Sequence, residues 1–157
     1  MGRVLRSLGR LDCVRITGGE PTLRADLPDI VDLAVRTCRP VSVVVSTNGL
    51  LPDRLESLVC SVRRPSVLHV HVSLDAVGAR HDELRGVPGA SERVLESISR
   101  LARLRERLGF GLATAQTVVD GRGPGEYAAL RDLSARMGIR HHVVIGHAET
   151  AVYSRTG

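Results

Sequence analysis

"VSVVVS", residues 41–46, is the stretch that most restricts what this chain can become. A run this dense in β-branched residues is too apolar for a strand with one wet face. It suits a strand covered on both faces of a parallel sheet. Parallel neighbours need long crossovers, so helices must alternate with strands. The chain supplies them. "LDCVRI" (11–16) reads as a strand, and Asp26 is placed to cap a helix through about Cys38, with Pro28 in its first turn. After 41–46, Pro52 opens a helix to about Val62, and "SVLHVHVSL" (66–74) is a third strand. Ser91 is placed to cap a long helix to about Leu108, with Val94, Leu95, Ile98, Leu101, Leu104 and Leu108 as its apolar stripe. Glu96 and Arg100 can pair on its far side. "GFGLATAQTVV" (109–119) is a strand, a helix closed by Gly138 follows, and "IRHHVVIG" (139–146) is the last strand. The order implies right-handed crossovers in either an open doubly wound sheet or a barrel. No linker or repeat interrupts it, which predicts one domain over residues 1–157.

Composition sets limits on function. With one Phe, two Tyr and no Trp, the core must be aliphatic. All 22 basic residues are arginine, which excludes a lysine Schiff base and a P-loop lysine. The net charge of +5 is spread along the chain, and there is little aromatic surface to stack bases, so no nucleic-acid partner is expected. No apolar run approaches the roughly 20 residues of a membrane span, and the N-terminus is too polar for a signal peptide. A cytoplasmic protein with no membrane partner is expected. Cys13, Cys38 and Cys60 fit no CxxC or zinc spacing, and each lies in or beside an apolar run, as a small buried residue does.

In parallel α/β folds ligands bind beyond the carboxyl ends of the strands. Polar residues gather there: Thr17-Gly18-Gly19-Glu20-Pro21, then Ser46-Thr47-Asn48-Gly49, then Ser73-Leu74-Asp75, with Thr114, Gln116 and Thr117 in the fourth strand. Gly18 and Gly19 expose bare main chain to a ligand. Backbone carbonyls beside the carboxylate of Glu20 suit a positively charged amino group and repel a phosphate. The alternative is a tight turn with a helix-capping acid. In "HVHVSLD" the period of two places His69, His71, Ser73 and Asp75 on one face and Val70, Val72 and Leu74 on the other.

Taken in order, "TGGEPTLRADL" (17–27), "STNGLL" (46–51), "HVSLDAVGARHDELRGVPGA" (71–90) and "TAQTVV" (114–119) resemble the radical S-adenosylmethionine (radical SAM) superfamily. The resemblance runs from about Val4 to His147 and implies strands two to six of a partial parallel (β/α)6 barrel, with the first strand missing. It implies that Gly18, Gly19 and Glu20 hold the methionyl amino group of SAM. Ser73 would contact its carboxylate or ribose, Gln116 and Thr117 would complete that contact, and Asn48 would lie near the cofactor. Asp75 is the acid of the SLD turn. Arg85 belongs to the RG segment and receives no role.

The family cleaves SAM with a [4Fe-4S] cluster held by a CxxxCxxC loop, forming a 5′-deoxyadenosyl radical that abstracts hydrogen from substrate. That loop has no counterpart here. The expectation is therefore a fragment of such an enzyme, starting inside the family's first helix and ending short at "YSRTG", inactive as written, with a small-molecule or peptide substrate left open. Two other readings compete. One is a metal hydrolase built on His69 and His71, with His81, Asp82, His141, His142 or His147 as further ligands. The other is a non-catalytic SAM-binding relative. A dinucleotide-binding domain fails at its first turn, because "TGGEPT" lacks GxGxxG.

Overall fold

Val43, Val44 and Val45 are all buried, so β2 (Ser42–Thr47) is the doubly covered strand its composition demands. The computed structural model describes residues 2–119 and 124–146. The elements in chain order are α1 (Gly2–Leu8), β1 (Cys13–Ile16), α2 (Leu27–Cys38), β2, α3 (Pro52–Ser61), β3 (Leu68–Ser73), α4 (Ala79–Arg85), α5 (Ala90–Leu108), β4 (Gly111–Val119), α6 (Pro124–Arg136) and β5 (Arg140–Gly146). All five expected strands are present.

The strands form one sheet in the order β1-β2-β3-β4-β5, every pair parallel. The sequence left two windings open. The strand order decides between them, because a doubly wound sheet reverses direction part-way and this one never does. With crossovers of one hand, the helices must all lie on one side. The core agrees: Val43, Val45, Val70, Val72 and Leu112 pack in one cluster with Val31 of α2, Leu55 of α3, Val94 and Ile98 of α5, and Leu130 of α6. The winding is that of a barrel. Among the described residues β1 and β5 do not pair with each other, so the barrel is partial.

The opposite parity of every strand faces away from the helices. Register places Ser46 beside His71, His71 beside Ala113, and Ala115 beside His142. This inner face carries His69, His71 and Ser73, as the alternation in "HVHVS" requires, while Val70 and Val72 pack under the helices.

Several local expectations need correction. Asp26 sits at the start of α2 but makes no capping bond; its carboxylate takes Arg24 Nε at 2.9 Å and Nη2 at 2.7 Å instead. Ser91 does not cap α5. The helix starts at Ala90 with Gly89 in the cap position, two residues earlier, and Asp82 of α4 satisfies its first turn, accepting from Gly89 N and Ser91 N at 2.7 Å each. Ser91 Oγ accepts from Gly78 N at 3.0 Å. Helix α4 itself was not anticipated: it has seven residues and buries only His81. Of the three cysteines only Cys38 is buried; Cys13 and Cys60 are exposed, Cys13 on the inner-face parity of β1, away from the helices, and Cys60 on the outer side of α3. The Glu96–Arg100 pair forms at 2.6 Å, and Arg100 also reaches Asp53 at 2.7 Å and Glu56 at 3.2 Å, which ties α5 to α3.

Candidate functional site

The carboxyl ends of β1 and β2 are laced together by one side chain. Glu20 Oε1 accepts from Thr22 N at 3.0 Å, Thr22 Oγ1 at 2.6 Å and Thr47 Oγ1 at 2.8 Å, while Oε2 accepts from Asn48 N at 2.7 Å. The bond to Thr22 N caps the 3-10 turn Pro21–Leu23, so the capping role that competed for this acid is present. Bracing of the β2 loop comes with it, which "GGEP" alone does not announce. Oε2 carries one bond and has lone-pair capacity left for a cation.

Gly18 has φ 141, a conformation side chains disfavour, and a Cβ built on Gly18 or Gly19 would meet no atom within 4 Å. The main chain there is open to a ligand. Gly49 is the opposite case: with φ 74, its Cβ would stand 2.6 Å from Val72 Cγ1. Its carbonyl accepts from Ser97 Oγ at 2.7 Å, so the β2 loop is pinned onto α5. Asn48 spends its side-chain oxygen on Leu50 N at 3.0 Å.

A second hub forms after β3. Asp75 Oδ1 accepts from Thr117 N at 2.8 Å and Oδ2 pairs with Arg85 Nη2 at 2.8 Å. Its backbone N donates to His81 Nδ1 at 3.2 Å, and its carbonyl accepts from Gln116 Nε2 at 3.2 Å. Arg85 and Asp75 thus have a shared structural task. His81 is buried and accepts through Nδ1, which requires that nitrogen unprotonated; burial, then Arg85, lowers its pKa.

The structure brings Gly18, Gly19, Glu20, Asn48, Ser73 and Thr117 to the same end of the sheet. It does not bring Gln116 to the inner face. That side chain is 3% exposed on the helix side, bonded to Asp75 O and to His141 Nε2. Adjacent residues of a strand point oppositely, so Gln116 and Thr117 cannot both face inward. Strand parity alone carried that signal.

His71 stacks on His142, with ring centroids 4.7 Å apart and planes at 19°. Burial chiefly, then His142 and Arg15, pushes the His71 pKa down to about 4. The metal-hydrolase reading finds no support. His81 and Asp82 are committed to backbone N–H groups, and His141 bonds Thr114 Oγ1 and Gln116. Among the described residues no group of three or more His, Cys, Asp or Glu is placed to hold a metal. His147 lies outside the described residues.

A family model for the radical SAM superfamily matches residues 2–119. This chain belongs to the radical SAM superfamily. Among its curated relatives are the Fe-coproporphyrin III synthase of Methanosarcina barkeri, 34% identical over 85 residues, covering 54% of this chain and 20% of that protein. Another is the GTP 3',8-cyclase of Vibrio atlanticus, 39% identical over 67 residues, covering 43% of this chain and 19% of that protein. The chain thus matches about a fifth of the length of each. Streptococcus suis SuiB, solved bound to S-adenosylmethionine, superposes with a TM-score of 0.65 at 19% identity, covering 92% of this chain and 32% of SuiB. At that identity the likeness is one of fold, and it is the partial barrel.

Radical SAM proteins pair SAM with an iron-sulfur cluster, and the residues here fit the two differently. An open two-glycine main chain beside a fixed carboxylate suits an ammonium. The cysteines do not suit a cluster. Cys13 opens β1, Cys38 ends α2 and Cys60 lies in the last turn of α3, so all three stand at the amino end of the sheet, away from Glu20. Among the described residues no helix is long and apolar enough to cross a membrane.

Proposed function

We propose that this chain provides the SAM-binding part of a radical SAM enzyme core. Gly18 and Gly19 present main-chain carbonyls and Glu20 a carboxylate to the methionyl ammonium, while Ser73 and Thr117 line the opposite side. Bound SAM, with a reducing cluster, supplies hydrogen-abstracting radical chemistry. The cluster ligands that chemistry needs are not among residues 1–157, so the reading assigns cofactor binding to this chain and derives no step through a cluster. The observation that carries it is the conjunction, in a radical SAM chain, of an uncrowded Gly18-Gly19 main chain with an acid held in place by four donors.

Gly19→Val tests it. The fold has room for a side chain at Gly19, so stability should stay within about 0.5 kcal/mol, as for ordinary surface changes. A ligand seated on that main chain has no such room. Calorimetric titration should show SAM binding to the parent chain and an affinity at least about tenfold weaker for the variant, the equivalent of about 1.4 kcal/mol. No SAM binding by the parent, or equal affinities, would overturn the reading. The placement of the cysteines favours a second reading for these residues by themselves, a SAM-binding relative without turnover. Stoichiometric iron after anaerobic reconstitution of this chain would exclude it.

A further inference from the structure

Among the described residues no strand contains Asp or Glu; the charged side chains of the sheet are Arg15 and Arg140, joined by four histidines. Six arginines, Arg24, Arg63, Arg80, Arg85, Arg100 and Arg131, pair with a carboxylate. Among the described residues neither Arg15 nor Arg140 does. Both have inward parity, from opposite edges of the sheet, Arg15 on β1 and Arg140 in register with Ala113 on β5. They share this face with the stacked imidazoles of His71 and His142, whose pKa values the two charges help to lower after burial.

The histidines between them are poor fillers. His71 has no hydrogen-bond partner among the described residues, yet no buried side-chain nitrogen is left unsatisfied, so its ring nitrogens keep contact with solvent. His69 has one contact, Nδ1 to Arg140 Nη2 at 3.4 Å, and its ring lies over Gly111, where a Cβ would collide with it. Two exposed guanidiniums without a carboxylate partner among the described residues thus stand on the same face as imidazoles whose pKa values are lowered. Guanidiniums bind carboxylate and phosphate oxygens in a two-pronged fork, and a neutral imidazole adds one donor and one acceptor.

We propose that this inner face, below the cofactor end, receives a carboxylate or phosphate group of the substrate, held by Arg15 and Arg140 with His71 and His142 between them. The proposal rests on the SAM reading for its claim that the anion belongs to a substrate; the anion site itself does not. The class is an acidic small molecule or an acidic side chain of a peptide.

The test uses the whole chain with two probes, inorganic phosphate and succinate, each titrated at constant ionic strength against sodium chloride while histidine ring signals are followed by NMR. Saturable shifts at His71 and His142 with either probe, absent with chloride, are expected, and the probe that saturates first distinguishes phosphate from carboxylate. The double variant Arg15→Gln/Arg140→Gln should bind at least about tenfold more weakly, the loss of at least one charge-assisted contact. Arg15→Lys/Arg140→Lys, which keeps the charge, should recover part of the affinity. No saturable shift with either probe, or equal binding by parent and glutamine variant, overturns the site. SAM titrated into the same samples separates the two claims. SAM binding without an anion effect sinks this proposal alone. An anion effect without SAM binding sinks the cofactor reading and leaves the anion site standing.

Discussion

Glu20→Gln isolates the lace between β1 and β2. The amide keeps one oxygen, which can take the place of Oε1 toward Thr22 and Thr47. The other end then becomes an NH2 facing Asn48 N, which now donates to Oε2 at 2.7 Å. Donor meets donor, and a partly buried N–H is left without a partner, at about 1–3 kcal/mol. Flipping the amide moves the same conflict onto Thr22 N, now 3.0 Å from Oε1. The surviving contacts also lose their charge assistance, which roughly halves each, for about 1 kcal/mol more. The expected loss is about 2–4 kcal/mol, or about 5–15 °C in Tm for a domain of this size. Urea unfolding followed by far-UV circular dichroism should show a lower midpoint at an unchanged slope. Thr47→Val removes one of the four contacts and should cost about 1 kcal/mol. If the Glu20→Gln midpoint matches the parent's, the bracing role is refuted, and the acid serves ligands alone.

Gly49→Ala should be destabilising by about 2–4 kcal/mol, because φ 74 is strained for alanine and its Cβ would press on Val72 Cγ1 at 2.6 Å; the same urea experiment reads it. Asp82→Asn should speed amide exchange at Gly89 and Ser91, the two N–H groups Asp82 caps. The Ser91 N–H, then that of Gly89, lowers the Asp82 pKa against burial, so its contribution is present above the unfolded carboxyl range and lost as pH falls through the folded value. Parent and Asp82→Asn should therefore converge in stability in acid, and divergence there would remove the charge from the cap. His71 gives a slope of the same sign for a different reason, a half-buried imidazole that resists its proton. Its pKa falls from 6.5 to about 4, so between those values the unfolded chain binds the extra proton and stability rises with pH. Discounted for its half-exposure, the effect is about 1–2 kcal/mol, and His71→Asn should flatten that part of the stability profile.

The strands were legible because their signal is local. "VSVVVS" and "HVHVS" state burial and facing within six residues, and the apolar stripe of α5 states its own core side. The choice between two windings was not legible, since it lies in strand order. Caps failed for a related reason: Asp26 and Ser91 are good caps by type, but Arg24 claims one and Asp82, from another helix, displaces the other. Helix α4 presents a single buried side chain, too little for a periodic signal. At the site, Gly18, Gly19 and Glu20 stood out as types, whereas the partners of Glu20 lie up to 28 positions away. The histidine row of β3 was legible from its alternation, whereas Arg15 and Arg140 on the same face were not singled out. Arg15 and Arg140 looked like ordinary wet arginines until the absence of acids from all five strands set them apart.

Four donors from two strand ends hold Glu20 before any ligand arrives. The entropy of fixing that charge is therefore spent in folding rather than at binding, which is how preorganisation raises affinity. The holding depends on β1, a four-residue strand paired in the described structure only with β2. Recognition at this end is thus inherited from the pairing of an edge strand. Fraying of Cys13–Ile16 would release the carboxylate into solvent and make the ligand meet that ordering cost itself.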